Sequence, residues 1–426
     1  MSLVSISTLT SVRFTDSTIT DRAVDRLCRG CPSLKSLALR IEDPEDDEVD
    51  IGVSDEGVRS IVKHCPGIEH LSLSGWASLT DDSMIALTAL PSLKELNLYD
   101  CCNLTSVGVQ SLLRSNGASL EVLVLAEYEY SSCGLCDDAL LRCLGDCCPI
   151  LREFSVNLTY IFDSNVTNAS FTALVQGCRH LESLSIYCKL LTDAFLLQLA
   201  DSCPALNKLV LHGSDYSSVG FAAVSSKCSR LCELELSDMS ITDSALVIIT
   251  SHCKNLRKLR LNYLPSITDL GLCVLFESCP HLVDLSLGLL SITERSMLSL
   301  VRNCIGLRSL NLSNNFYLKG KAIAVLIMLE GLETLVIDHG IYPLDDALST
   351  LACYCNKLKT IKLKNCIQVT ERGLISLITH SESLKYISML NCYFNLTSEV
   401  ERDMLRTKRP ATHRLNVYIQ SQHYTF

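Results

Sequence analysis

Apolar residues along this chain switch repeatedly between two periods. A short stretch with apolar side chains at alternating positions gives way to a stretch at helical spacing, and the pair then returns. In CPSLKSLAL, Cys31, Leu34, Leu37 and Leu39 stand at offsets 0, 3, 6 and 8, and the same offsets recur at Cys65/Ile68/Leu71/Leu73 and Cys148/Leu151/Phe154/Val156. Further copies begin at Cys178, Cys203, Cys228, Cys253, Cys279, Cys304 and Cys355. Degenerate copies start at Leu90, Leu329 and Ser381, another carries Leu120/Leu123/Leu125, and a first one without the cysteine reads Leu9/Val12/Phe14. Val417/Ile419 marks a possible last copy. The alternation predicts a short strand whose apolar side chains, such as Leu37 and Leu39, point the same way.

The other half of each unit predicts a helix. A Thr or Ser followed by an acid opens it, as in Thr20-Asp21, Ser54-Asp55, Thr80-Asp81, Thr192-Asp193, Thr242-Asp243, Thr268-Asp269, Thr293-Glu294 and Thr370-Glu371. The hydroxyl suits a helix cap and the acid suits the positive end of the helix dipole. Apolar residues then follow at helical spacing, as Ala245, Ile248 and Ile249 do. Five of the repeat cysteines are followed by Pro32, Pro66, Pro149, Pro204 and Pro280, which cannot continue a helix. One strand and one helix per unit cannot bury their apolar sides alone. Stacked units make one parallel sheet, one helix layer and a continuous core. The expected organisation is a solenoid of about fifteen units over residues 1–392, and a C-terminal cap over 393–426 with a possible final strand.

The L-x-x-L-x-L strand and the C-P-x-L helix exit resemble the cysteine-containing class of leucine-rich repeats, over about residues 9 to 390. The resemblance implies an α/β fold, a right-handed horseshoe solenoid with the parallel sheet on its concave face and the helices on its convex face. That class is typical of F-box/leucine-rich-repeat proteins, the substrate receptors of cullin-based ubiquitin ligases. It therefore implies a non-enzymatic scaffold that recognises a protein substrate in an SCF-type ligase. An F-box, a helical segment before the repeats, has no room here, because the first repeat strand begins near Leu9. Adaptor and cullin components are then expected as partners only through an F-box located elsewhere. The alternative is a free-standing leucine-rich-repeat regulator or inhibitor that binds a protein without ubiquitin machinery.

Composition narrows the partner. With 37 basic and 47 acidic side chains the formal charge is −10, which speaks against nucleic acid or an anionic membrane as the main partner. No apolar run is long enough to span a bilayer, and the N-terminus lacks a basic signal region, so a cytoplasmic or nuclear location is expected. The 23 cysteines are odd in number and largely periodic, which fits reduced core packing rather than a disulfide framework.

Residues flanking the inward leucines should face the open side of the sheet and bind a protein or peptide there. Aromatic residues are only 6% of the chain, yet they gather near the strand exits of the third to eighth units. Trp76, Tyr99, Tyr128, Tyr130, Tyr160, Phe162, Tyr187, His212 and Tyr216 are the expected partner contacts on the rim and this face. Longer intervals between strands place insertions at 41–51, 127–136 and 158–166, all on one rim. The first holds seven acids among residues 42–50 and reads as a solvated loop or as a steering element for a basic segment. Glu233 and Glu235 should lie beside Lys258 and Arg260 of the next strand. No cofactor is expected. A zinc or thiol enzyme built on Cys133, Cys136, Cys143, Cys147 and Cys148 is the weaker alternative, since Cys136 and Cys148 fall on core positions of the repeat.

Overall fold

The computed structural model describes residues 8–15, 19–41, 52–125, 135–158, 166–214, 216–392, 415–419 and 422–425. It divides into two compact units, one formed by residues 1–215 with 227–229 and one by residues 216–226 with 230–426. Strands in the first unit are β1 (Ser11–Thr15), β2 (Ser36–Arg40), β3 (His70–Ser74), β4 (Glu95–Asn97), β5 (Val122–Leu125), β6 (Glu153–Asn157), β7 (Ser183–Tyr187) and β8 (Lys208–His212). Between them run α1 (Asp21–Gly30), α2 (Asp55–His64), α3 (Asp81–Leu87), α4 (Ser106–Asn116), α5 (Asp138–Cys147), α6 (Asn168–Gly177) and α7 (Asp193–Ser202). After α8 (Ser218–Lys227) come β9 (Glu233–Ser237), β10 (Lys258–Asn262), β11 (Asp284–Gly288), β12 (Ser309–Asn311), β13 (Thr334–Asp338), β14 (Thr360–Lys364), β15 (Tyr386–Leu390), β16 (Asn416–Ile419) and β17 (Gln422–Thr425). The helices among these are α9 (Asp243–His252), α10 (Asp269–Ser278), α11 (Glu294–Asn303), α12 (Gly320–Ala324), α13 (Asp345–Tyr354) and α14 (Glu371–His380).

Pairing is parallel from β1 to β8 in the first unit and from β9 to β16 in the second, each strand beside the one before it. β17 turns back antiparallel on β16. Register follows the repeat: Leu37 pairs with Leu71, Leu39 with Leu73, and Leu259 with Leu285. Each inward leucine therefore stacks on its equivalent and is almost wholly buried, contributing about 1.5–3 kcal/mol by its removal from water.

The repeat cysteine closes each helix. At Cys65, Cys178, Cys203 and Cys304 the backbone N–H bonds back to the carbonyl four residues earlier, and the side chain is fully buried. Its thiol points at the preceding repeat: Cys203 to the carbonyl of Cys178, Cys279 to Cys253 and Cys304 to Cys279, each at 3.6 Å. A small, weakly donating side chain suits that place. Where leucine replaces it, at Leu90 and Leu329, the helices that end there are the short α3, of 7 residues, and α12, of 5. Beside Gly117, Asn116 supplies the missing donor and bonds to the Leu90 carbonyl at 2.7 Å.

Helix starts carry more than the dipole role expected of their acids. The carboxylate of Asp55 accepts from the Thr80 N–H at 2.9 Å, from the Thr80 hydroxyl at 2.6 Å and from the Ser83 hydroxyl, all on the next repeat. Asp81 holds Thr105, Asp243 holds Thr268, Asp269 holds Thr293 and Asp345 holds Thr370 in the same way. The Thr side chain also caps its own helix at Thr80, Thr105, Thr268, Thr293 and Thr370, whereas Thr20, Thr192 and Thr242 make no such side-chain cap. The Thr–acid pair is thus chiefly a staple between repeats. The notch for the carboxylate is kept open by Gly57, Gly108, Gly271 and Gly373, where a Cβ would come within 2.2–2.5 Å of the aspartate oxygen.

Candidate protein-binding face

Three rows of side chains cross the open face of β1–β8. The middle row is short: Ala38, Ser72, Ser185 and Val210 are buried, with Asn97, Val124 and Ser155 among them. One flank, at the strand starts, carries His70, Glu95, Glu153 and Lys208; His70 sits 2.9 Å from Glu95. The other flank, at the strand exits, carries Tyr99, Asn157, Tyr187 and His212. Over β6–β8 the exit row rises beside this low middle row and forms one wall of a shallow trough running across the strands; on the other flank Ser183, short and buried, interrupts the row between Glu153 and Lys208. Over β2–β4 the middle row is tied to the strand-exit row: Arg40 donates to the Ser72 hydroxyl at 3.1 Å, Ser72 and Ser74 lie 3.3 Å apart, and Ser74 donates to Asn97 at 3.3 Å.

Over β6–β8 the register places Asn157 beside Tyr187 and Tyr187 beside His212. The Tyr187 and His212 rings stack with centroids 5.4 Å apart and planes 29° from parallel. Both are half-buried. A flat, amphipathic ring pair next to short serines offers apolar area together with hydrogen-bonding edges, the usual makings of a contact for a peptide.

Of the expected contacts, Tyr187 and His212 are the two that the structure brings together. Tyr99 lies on the same flank, half-buried. Trp76 and Tyr216 are corrected: they are 2% and 6% exposed. The Trp76 indole N–H donates to the Leu39 carbonyl at 3.0 Å, so this ring packs between repeats rather than reaching a partner. Tyr216 meets Phe221 edge to face at 6.0 Å. Tyr128, Tyr130, Tyr160 and Phe162 lie outside the described residues, as does the acidic segment 42–50.

Two repeat positions that shape the strand exits escaped sequence reading. Ten residues beyond the cysteine position the backbone is left-handed, at Gly75, Asp100, Gly213, Asp238, Tyr263, Leu289, Asn314, His339, Asn365 and Asn391. The runs of Asn, Asp and Gly there were the available signal. The next residue is buried, and in several repeats it donates to the previous strand: Trp76 to Leu39, Cys101 to Leu73 at 2.8 Å, Asn315 to Leu287 and Cys366 to Ile337 at 3.6 Å; Met239, Leu264 and Leu290 fill the same place with apolar side chains. Its chemistry varies too much from Trp to Cys to Asn to be seen as one motif.

Around the second cluster singled out in the sequence, Cys136 is buried and Cys143 lies 3.9 Å from Cys147, sulfur to sulfur. Burial, together with Cys147, pushes the Cys143 thiol up to about 11. Cys133 lies outside the described residues. Among the described residues no group of three or more His, Cys, Asp or Glu side chains is placed to hold a metal ion. None of the described helices is long and apolar enough to cross a membrane.

No family model matches the chain. Protein pof5 of Schizosaccharomyces pombe is 32% identical over 133 residues, 30% of this chain and 35% of that relative. The match thus spans about a third of the relative's length. Among solved structures, a chain of the yeast Rad7–Elc1 complex superposes with a TM-score of 0.58 at 17% identity, covering 93% of this chain and 84% of that one. The fold is a leucine-rich-repeat solenoid. An internalin (inlF) from Listeria monocytogenes is similar at a TM-score of 0.46 and 18% identity, covering 89% of this chain and 90% of that one.

Proposed function

We propose that this leucine-rich-repeat chain is a protein-interaction scaffold that holds an extended segment of a partner in the trough over β6–β8. The observation that carries this reading is the stacked Tyr187–His212 pair standing at the edge of a serine floor. Rings that are already ordered lose little side-chain entropy when a partner covers them, so their burial converts efficiently into affinity. Rad7 is found in a complex with Elc1, which supports reading the fold here as a support for a protein partner. The cysteine-containing repeat, as it resembles that of F-box/leucine-rich-repeat receptors, favours substrate recognition in an SCF-type ubiquitin ligase as the finer assignment, in a cytoplasmic or nuclear setting.

Affinity capture with the full chain tests both levels. The scaffold reading expects a specific partner whose recovery falls about tenfold or more with Tyr187→Ala/His212→Ala, a loss of about 1.4 kcal/mol or more. Undiminished capture of every specific partner by that variant sinks the trough. The ligase reading further expects a cullin adaptor among the captured proteins. A stable one-to-one complex free of ubiquitin machinery supports the regulator reading instead.

A further inference from the structure

The open face of the second unit carries two groups of cations, and they are treated differently. On β10, Lys258 pairs with Glu233 at 2.8 Å, and Arg260 reaches Glu235 at 3.3 Å and Asp284 at 3.7 Å. Those charges are answered within the sheet. On β14, Lys362 and Lys364 are both exposed, and neither has a carboxylate within ion-pair distance among the described residues. Asp338 stands across from Lys364 in the register but makes no ion pair with it; its Oδ1 accepts from Asn365 at 2.9 Å. Two lysines on alternate residues of one strand project from the same face, and each is repelled by the other.

Beside them stands an aromatic pair. Tyr386 of β15 and Tyr418 of β16 lie 5.2 Å apart, centroid to centroid, and the Lys362 ammonium sits 5.9 Å from the Tyr386 centroid. Leu390, next to Lys364 in the register, is 38% exposed. The face over β14–β16 therefore combines two exposed lysines, which have no ion-pair partner among the described residues, with a half-buried tyrosine pair and the exposed side chain of Leu390, in a chain whose net charge is −10.

We infer that this face is a second docking surface, and that its partner is an acidic, extended polypeptide segment whose carboxylates pair with Lys362 and Lys364 while an apolar side chain rests on Tyr386 and Tyr418. Charge complementarity selects the occupant: carboxylates would remove the lysine–lysine repulsion, and the tyrosines supply the burial that exposed ion pairs lack. A nucleic acid is disfavoured as the occupant because the chain as a whole carries a net charge of −10. This surface lies on different strands from the trough and stands or falls independently of it.

The test is fluorescence anisotropy of the full chain with a labelled Glu/Asp-rich peptide containing one tyrosine. Saturable binding that weakens at high salt is expected, with a dissociation constant raised about tenfold or more by Lys362→Glu/Lys364→Glu and by a smaller factor with Tyr386→Ala/Tyr418→Ala. Arg26→Glu/Lys63→Glu, an equal charge change at exposed positions of the first unit, should leave binding unchanged. Thermal unfolding of Lys362→Glu/Lys364→Glu should match the parent, because both side chains are exposed. Failure of the peptide to bind at low salt overturns the proposal, as does equal loss in the control variant. Tighter binding of an oligo-thymidine strand, with the same lysine dependence, also overturns it.

Discussion

Single residues here are chosen by the gap between one repeat and the next. Burial pushes the thiols of Cys178, Cys203 and Cys304 up to about 12. An unfolded chain releases such protons from about pH 8.5, whereas the folded chain keeps them to about 12. Stability from these positions is therefore level through neutral pH and falls as pH rises from about 9 toward 12, which urea midpoints at neutral and alkaline pH will register. Alkylation of the native protein near neutral pH, read by mass spectrometry, should label exposed Cys102 and Cys353 and spare the buried repeat cysteines. Tyr263 pays for a left-handed backbone, at φ +54°, with a side chain that is 51% exposed. Tyr263→Gly should raise the urea midpoint, by about 1 kcal/mol of relieved strain.

At the scale of the element, the helix start is a joint. Burial acts to raise the Asp55 carboxyl, but hydrogen bonds from Ser83 and Thr80 outweigh it and hold the group below its ordinary value. Its contribution is present above about pH 4 and is lost as pH falls through the lowered value. Asp55→Asn, followed by urea denaturation, should cost about 1–2 kcal/mol at neutral pH and progressively less in acid. Gly108 inverts the usual helix rule. Alanine is favoured over glycine inside a helix by about 1 kcal/mol. Here its Cβ would meet the Asp81 carboxylate oxygen at 2.2 Å. Gly108→Ala should therefore lower the melting temperature, and Gly108→Ser should lower it less, since Ser83 fills the equivalent place by donating to Asp55.

On the scale of the whole molecule, stability is a sum over repeats and the joints between them. Removing residues 243–268 joins Thr242 to Asp269 and keeps the Thr–acid sequence intact. Circular dichroism of that deletion should show a folded protein with a lower melting temperature. Removing 243–255 alone, which leaves half a repeat, should unfold the second unit. Retained native helicity and melting in the half-repeat deletion would refute the additive view.

The sequence by itself determined the repeat, the strand and helix of each unit, the parallel stacking and the burial of the cysteines. Each of these follows from a period, and a period is visible along the chain because every copy faces the same neighbours. It also placed the Glu233–Lys258 and Glu235–Arg260 pairs, which need only adjacent registers. Tertiary structure decided what depends on direction and depth. It turned Trp76 inward onto the Leu39 carbonyl, stacked Tyr187 on His212, and aimed the helix-opening aspartates at the next repeat instead of their own helix. Among the described residues it also left Lys362 and Lys364 without an ion pair while Lys258 and Arg260 found partners, because spacing fixes which residues are neighbours but only packing fixes where a long side chain can reach.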